Sequence, residues 1–338
     1  MKRAGNLYEA IADPDNLRLA FIKARRGKEH KPDVQAYSKQ AEKNLLMLRQ
    51  SLLDQEYHPD EYHFFTIYEP KERLICAASF ADRVLHHAIM NICHPFFERF
   101  QLFDSYATRL GKGQFAALER AGYFTRRHAW FCKLDVRKYF DSINHGVLLE
   151  LLARKFKDAK LMNLFHIILA SYSTCEGRGL PIGNLTSQYF ANFFLAHADH
   201  YLKEEVGQRS YVRYMDDMVL WGNHKEQLIA VREQFQRFIS EKLLLELKPD
   251  CLNNTCNGLP FLGFVLFAHT IRLNKQSKNR FFRKQNLYNQ AYEANKWSEK
   301  EYARHVESLF SFVKHAETTM LRTNHIKRCE TGHGAPTA

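Results

Sequence analysis

The chain has 338 residues, 45% of them hydrophobic and 25% charged, the balance of a globular protein with room for two or three subdomains. Its 49 Lys and Arg exceed 37 Asp and Glu, and a net charge of +12 favours polyanionic partners, nucleic acid before anionic membrane. No apolar run approaches the roughly 20 residues that span a bilayer, and Met1 to Asn6 leads into polar sequence rather than an apolar signal core, so neither membrane insertion nor secretion is expected.

In chain order, the first third mixes helix and basic loop. Lys23 to Lys31 carries five Lys/Arg against one acid and is readable as a solvated face or as an RNA contact. Gln40 to Gln55 has the spacing of an amphipathic helix, with Leu45, Leu46, Leu48, Leu52 and Leu53 on one side. Tyr62 to Tyr68 and Arg73 to Cys76 read as strands around a turn at Glu69 to Glu72. Phe80 to Phe97 reads as a helix ending near Pro95. Phe131 to Val136 alternates, with Phe131, Lys133 and Asp135 on one face and Cys132, Leu134 and Val136 on a core-packed face. Leu148 to Leu169 is helical in pattern, and the Gly-rich loop Gly177 to Gly183 leads into a helix over Leu185 to Tyr201.

Ser210 to Arg213 and Met218 to Trp221 form the arms of a strand–turn–strand whose bend is Tyr214-Met215-Asp216-Asp217. Lys225 to Leu243 is amphipathic, Phe261 to Phe267 is a buried strand or hairpin, and helical pattern runs to about Arg328. Arg272 to Lys284 holds six Lys/Arg and no acid, which suits the phosphates of a duplex or a solubilising linker. The tail Cys329 to Ala338 is expected to be disordered. The seven cysteines are scattered, with no Cys-x-x-Cys and no zinc spacing, which fits a structural role in a reducing cytoplasm.

Two adjacent carboxylates at a strand bend repel each other unless a cation sits beside them, and a hard divalent metal suits their oxygens. A turn with Asp-Asp is otherwise merely solvated. Asp135, on another strand, supplies a third acid, and three such acids could bracket two divalent ions about 3.5–4 Å apart.

At these residues the chain resembles the reverse transcriptases. Pro70-Lys71 with Arg73-Leu74-Ile75 is similar to their first fingers block and Ser105 to Gly113 to the second. Lys133 to Phe140 is similar to motif A, Gly179 to Gln188 to motif B, Tyr214 to Asp217 to motif C, and Phe261-Leu262-Gly263 to the primer grip. The resemblance implies an α+β right-hand polymerase: fingers and a palm whose antiparallel sheet is covered by helices, with a small helical thumb. Its expected divisions are an N-terminal extension and fingers, with the first palm elements, over 1–130; palm with an inserted fingers and motif B segment over 131–271; basic helical thumb over 272–328; and the tail over 329–338.

By the same resemblance, Asp135, Asp216 and Asp217 are the catalytic acids and, with Val136, the implied ligands of two Mg²⁺ ions, Mn²⁺ being a possible substitute. Lys71, Arg73, Phe140, Ile182 and Gly183 are the implied dNTP contacts. Phe140 stands five residues after Asp135, at the ribose gate, where a ring excludes a 2′-OH. Arg109, Lys112, Gln188, Leu262, Gly263, Lys275, Lys278, Arg280, Arg283 and Lys284 are the implied template and primer contacts. The family's lysine that protonates pyrophosphate has no clear equivalent, since Cys251 stands near its place and Lys248 earlier.

Motif B narrows the resemblance. Most reverse transcriptases carry Gln-Gly-x-x-x-Ser-Pro there, whereas this chain has Ile182-Gly183-Asn184-Leu185-Thr186-Ser187-Gln188. That exchange resembles the enzymes of diversity-generating retroelements, which copy a template-repeat RNA into cDNA with errors at adenine. The implied partners are that RNA and its RNA/cDNA duplex, dNTPs, and a small basic helical accessory variability protein that is pentameric in the family, all in the cytoplasm of a bacterial cell. The alternatives are another prokaryotic reverse transcriptase (group II intron-like, retron or abortive infection) and a catalytically silent RNA-binding scaffold.

Overall fold

The structure, a computed structural model, describes residues 3–68, 72–320 and 322–323. The chain opens with α1 (Tyr8–Ile11), α2 (Pro14–Arg25), α3 (Pro32–Lys39) and α4 (Ala41–Leu53). Asp13 starts α2 by accepting the N–H groups of Asp15 and Asn16, with Pro14 at the first helical position. Leu45, Leu48 and Leu52 make the buried stripe of α4. Leu46 and Leu53, expected on that stripe, each lie one step off it and are 62% and 40% exposed.

An antiparallel hairpin follows, β1 (His63–Ile67) with β2 (Arg73–Ala77). Then come α5 (Phe80–Phe100), α6 (Gln114–Thr125), β3 (Trp130–Asp135), α7 (Tyr139–Ser142), α8 (His145–Lys155), α9 (Ala159–Ala170) and α10 (Leu185–His200), which continues into a π-turn over Tyr201–Glu205. Two expectations fail here. α5 does not end near Pro95 but continues to Phe100. A proline removes one helical hydrogen bond, and the packing of Cys93 and Phe97, both buried in the core along α2 and α10, holds the helix through that loss. The stretch 148–169 is two helices rather than one. Asp158 breaks it by capping α9 through Leu161 N–H while also accepting the N–H groups of Leu7 and Tyr8, 2.8 and 3.0 Å away.

The chain continues through β4 (Tyr211–Tyr214), β5 (Asp217–Gly222), α11 (Lys225–Lys242), β6 (Cys251–Asn254), β7 (Leu259–Phe261), β8 (Phe264–Leu266) and β9 (Ile271–Leu273). It goes on through α12 (Lys275–Glu293) and α13 (Glu299–Val313), so the helical pattern expected to run to about Arg328 is interrupted between these two helices and again after Val313. The tail expected to be disordered lies outside the described residues. The central antiparallel sheet has the order β4-β5-β3-β6, and β7-β8-β9 form a separate antiparallel sheet. Trp130, one residue before the expected palm boundary, already pairs with Gly222 and Asn254, and β9 straddles the expected start of the thumb. Helices and antiparallel sheets are thus combined as expected.

Both faces of the central sheet are apolar, for different reasons. Cys132, Leu134, Tyr211, Met218 and Leu220 face the large helical core. Phe131, Val212, Val219 and Trp221 face a second core made with α6 and the β7–β9 sheet. By strand alternation this second face also carries Lys133, Asp135 and Asp217. It is buried at one end and bears charged groups at the other. No helix among the described residues is long and apolar enough to cross a membrane.

One fully buried charge pair holds the bend between β4 and β5. Arg213 and Asp199 are both 0% exposed and 2.7 Å apart. Arg213 also donates to Asn192 Oδ1 (2.9 Å), Gln101 Oε1 (3.2 Å) and the Met215 carbonyl (3.1 Å), and Tyr211 Oη donates to Asp199 at 2.6 Å. Burial opposes the Arg213 charge, and the Asp199 carboxylate more than offsets this, holding the guanidinium above its ordinary range. Removing one member of such a pair leaves a buried charge uncompensated. Arg213→Met is therefore expected to destabilise the protein by about 3–5 kcal/mol, read as a lower midpoint in guanidinium unfolding; an unchanged midpoint would contradict this account of the bend.

Candidate active site

Asp135, the last residue of β3, lies directly opposite Asp217, the first residue of β5. Asp216 stands beside them in the two-residue turn between Tyr214 and Asp217, which are themselves paired. Met215 begins that turn with φ +54, a conformation such turns usually give to glycine. The Arg213 hydrogen bond to the Met215 carbonyl holds it there.

Each of the paired acids has a lysine on it. Lys248 Nζ lies 2.8 Å from Asp135 Oδ1, and the Lys248 N–H donates to the Asp135 carbonyl at 2.8 Å. Lys133, diagonal to Asp217 across the β3–β5 pair, lies 3.2 Å from Asp217 Oδ1 and donates to the Pro260 carbonyl at 3.1 Å. The contact with Asp217 is a charge contact rather than an aligned hydrogen bond, since Oδ1 is buried and accepts none. Burial, opposed by Lys133 and aided by Asp135 and Asp216, pushes the Asp217 carboxyl up to about 6. Burial and then Asp135 raise Asp216, while Lys248 and Arg73 pull it back.

Arg73, at the start of β2, is thus close enough to be felt at Asp216. Lys71 lies outside the described residues. Phe140 is half-buried on α7, edge-on to Tyr139, and its carbonyl accepts the Leu180 N–H at 2.8 Å. That bond ties the segment after Asp135 to the loop before α10. The same loop is tied to β2, because the Ile182 carbonyl accepts the Cys76 N–H at 2.8 Å and Asn184 Oδ1 accepts the Ala78 N–H at 3.2 Å. Gly183 permits this approach. Its φ is +121, and a Cβ there would meet Ile75 Cγ2 at 2.9 Å. Val136 is buried in the core, and Gln188 lies half-buried on α10.

Four of the ten expected template and primer residues, Leu262, Gly263, Arg280 and Arg283, meet at one cleft. Leu262 and Gly263 form the β7–β8 turn; Gln114 donates to the Leu262 carbonyl at 2.7 Å, and a Cβ on Gly263 (φ +87) would meet Ser277 Oγ at 2.7 Å. Gly263, Arg280 and Arg283 line one cleft of about 760 Å³ with Tyr68 and Phe312. Lys275, Lys278 and Lys284 share α12 with those arginines. Arg109 is a correction. Its guanidinium donates to Glu98 at 2.7 and 2.9 Å and to the carbonyls of Leu102 and Ser105, with its side chain 8% exposed, so it braces its own loop rather than facing a duplex. Lys112 lies at the same loop, against Phe103.

Sequence reasoning missed Lys133, Arg213 and Asp199 as parts of this site and left Lys248 without a contact. Alternation alone put Lys133 on the Asp135 face, which was the one available signal.

Among the described residues no three His, Cys, Asp or Glu side chains converge as a preformed metal cage. The donor set nonetheless fits a hard divalent cation of the Mg²⁺ kind, which takes one or two carboxylates and completes its shell with water and substrate phosphate. The buried Oδ1 of Asp217 has Lys133 3.2 Å away, a lysine whose hydrogen bond goes to the Pro260 carbonyl, which leaves that oxygen able to ligate a cation.

Residues 68–266, more than half of the chain, match the family model described as reverse transcriptase (RNA-dependent DNA polymerase). The chain is 25% identical over 278 residues to protein YkfC of Escherichia coli K12, covering 68% of this chain and 72% of that one. It is 23% identical over 318 residues to the group II intron-encoded protein LtrA of Lactococcus lactis subsp. cremoris, covering 71% of this chain and 53% of LtrA, about half of that protein's length. A telomerase of Candida tropicalis, solved in complex with the TWJ fragment of telomeric RNA, matches at TM-score 0.50 and 12% identity over 80% of this chain and 55% of that one, a likeness of fold.

The raised Asp217 carboxyl has a pH consequence. Between its ordinary value of 3.8 and about 6, the folded protein holds more protons than the unfolded chain, so metal-free stability falls as pH rises through that window. Asp217→Asn is expected to flatten that slope and to raise metal-free stability at neutral pH by on the order of 1–3 kcal/mol. Thermal melts with chelator from acid to neutral pH check this; an identical slope in the variant would count against it.

Proposed function

The chain belongs to the reverse transcriptase family of RNA-directed DNA polymerases, and we propose that it copies a template-repeat RNA into cDNA with adenine-selective errors, as in diversity-generating retroelements. Members of the family generally use divalent metal ions. The observation that carries the polymerase reading is the β3–β5 register, which sets Asp135 opposite Asp217 with Asp216 at the adjoining turn. Asp135, Asp216 and Asp217, with Val136 beside them, would hold two Mg²⁺ ions, with Mn²⁺ as substitute; when bound, these lower the pKa of the primer hydroxyl and stabilise the leaving phosphate oxygens. Lys248 and Lys133 then share the acids rather than neutralising them alone. Arg73 and Lys71 would offset triphosphate charge, and Phe140 would exclude a ribose 2′-OH. The β7–β8 turn with Arg280 and Arg283 of α12 would follow the primer–template backbone, with Lys275, Lys278 and Lys284 on the same helix adding positive charge, where sequence-independent contacts suffice.

The error-prone subtype rests on Ile182. By the motif B resemblance Ile182 stands where an amide would otherwise donate to the nascent pair, and an aliphatic group cannot; its carbonyl accepts from β2. Template-repeat RNA, an accessory variability protein and a cytoplasmic setting belong to this reading. The similarity to LtrA favours a second reading, a group II intron-like polymerase of ordinary fidelity.

Mg²⁺-dependent dNTP incorporation on an RNA template tests the activity, with Asp216→Ala expected to lose at least ~100-fold in line with the loss of one electrostatic element of such a centre. Incorporation unaffected by that substitution would defeat it. Sequencing the cDNA separates the two readings: misincorporation concentrated at template adenines, reduced in Ile182→Gln, supports the first, and uniform fidelity in both proteins supports the second.

A further inference from the structure

A ladder of alternating cations and aromatic rings runs over the outside of the protein. Lys112 Nζ lies 3.4 Å from the Phe103 ring centre. The Arg120 guanidinium lies 5.7 Å from Phe103 and 5.0 Å from Tyr123, and that of Arg127 lies 3.7 Å over Tyr123. The order is therefore Lys112, Phe103, Arg120, Tyr123, Arg127. α6 supplies Arg120 and Tyr123 one turn apart, Arg127 follows its end, and the loop before it supplies Phe103 and Lys112. Phe103 is 67% exposed and Tyr123 37% exposed, so neither ring is core packing.

The scaffold beneath is rigid. Tyr106 N–H donates to the Arg213 carbonyl at 3.0 Å, Asn192 Nδ2 donates to the Ala107 carbonyl at 2.6 Å, and Asp104, buried, accepts from Arg120 at 2.8 Å and Lys203 at 2.7 Å. Lys112, Arg120, Arg127 and Lys203 against Asp104 leave a local charge of +3. Arg126 and Arg209 are also exposed, and Glu119 is the exposed acid on α6. Arg127 precedes Trp130, and β3 crosses the sheet from Trp130 to Asp135, about 17 Å at ~3.3 Å per residue.

Exposed rings with cations beside them make a surface on which any base can stack, while the net positive charge meets phosphate. We propose that this ladder binds single-stranded RNA outside the catalytic cleft, holding template that is not in the duplex at the acids. The identity of the strand as RNA rests on the polymerase reading above. An acidic protein segment would satisfy the charge but not the alternation of rings with cations.

The test uses the full chain without dNTPs or added divalent metal, so it stands whether or not incorporation is observed. Fluorescence anisotropy compares a blunt primer–template duplex with the same duplex carrying a single-stranded RNA extension of about 16 nucleotides, within the span such surfaces cover. The extension is expected to tighten binding about tenfold in the parent, and Phe103→Ser with Tyr123→Ala to remove that gain while duplex binding stays within about twofold. Arg127→Gln, at an exposed position beyond the helix, is expected to remove part of the gain and to reduce the salt slope of extension-dependent binding by about 0.7; it carries the test should the double variant fail to fold. No gain from the extension in the parent, a gain kept in the variants, or displacement of the extension by polyglutamate through these same residues with no loss of RNA affinity on substitution would overturn the proposal.

Discussion

A buried ion pair that can exist only if the surrounding chain is folded correctly sets the geometry of this protein. Arg213 reaches Asp199 and Asn192 on α10, Gln101 after α5, and the carbonyl of Met215 in the β4–β5 turn. Taking both charges out of water is expensive, and several hydrogen bonds at once make the arrangement tolerable. The result is that the turn carrying Asp216 cannot shift independently of α10. The loop before α10 is in turn bonded to β2 through Ile182 and Asn184. The β1–β2 hairpin, the loop before α10 and the acid-bearing turn therefore share one hydrogen-bonded framework, the rigid support that holding side chains to fractions of an ångström requires.

The central sheet reinforces this by dividing one face between two tasks. Phe131 and Trp221 anchor it under α6 and the β7–β9 sheet, while Lys133, Asp135 and Asp217 follow at the same alternation toward the other end. Lys133 joins the two regions through Asp217 and the Pro260 carbonyl. Acids crowded on a stiff platform repel one another, and a divalent cation would relieve that repulsion beyond what Lys133 and Lys248 supply.

What could be read from the sequence was local. Alternation in Phe131 to Val136 and the Asp-Asp bend located the acids, and helical spacing located α10 and α11 to within a residue or two. What could not be read depended on distant partners. Arg109 resembles a nucleic-acid contact until Glu98, eleven positions upstream, is folded against it. Pro95 reads as a stop until the packing of Cys93 and Phe97 overrides it. Asp199 carries no signal of its own, because its importance comes from Arg213 on a different element. Lys71 stands in a block legible in sequence but outside the described residues.

Asp135, Asp216 and Asp217 are proposed to form one divalent-cation site completed by substrate phosphate. Electron paramagnetic resonance of Mn²⁺ in the presence of the protein, an RNA template with DNA primer, and an incoming dNTP tests this without relying on turnover. The account predicts that bound Mn²⁺ rises when the dNTP is added and that Asp135→Ala removes this dNTP-dependent fraction. Mn²⁺ binding that ignores the dNTP, or that persists unchanged in Asp135→Ala, would contradict it.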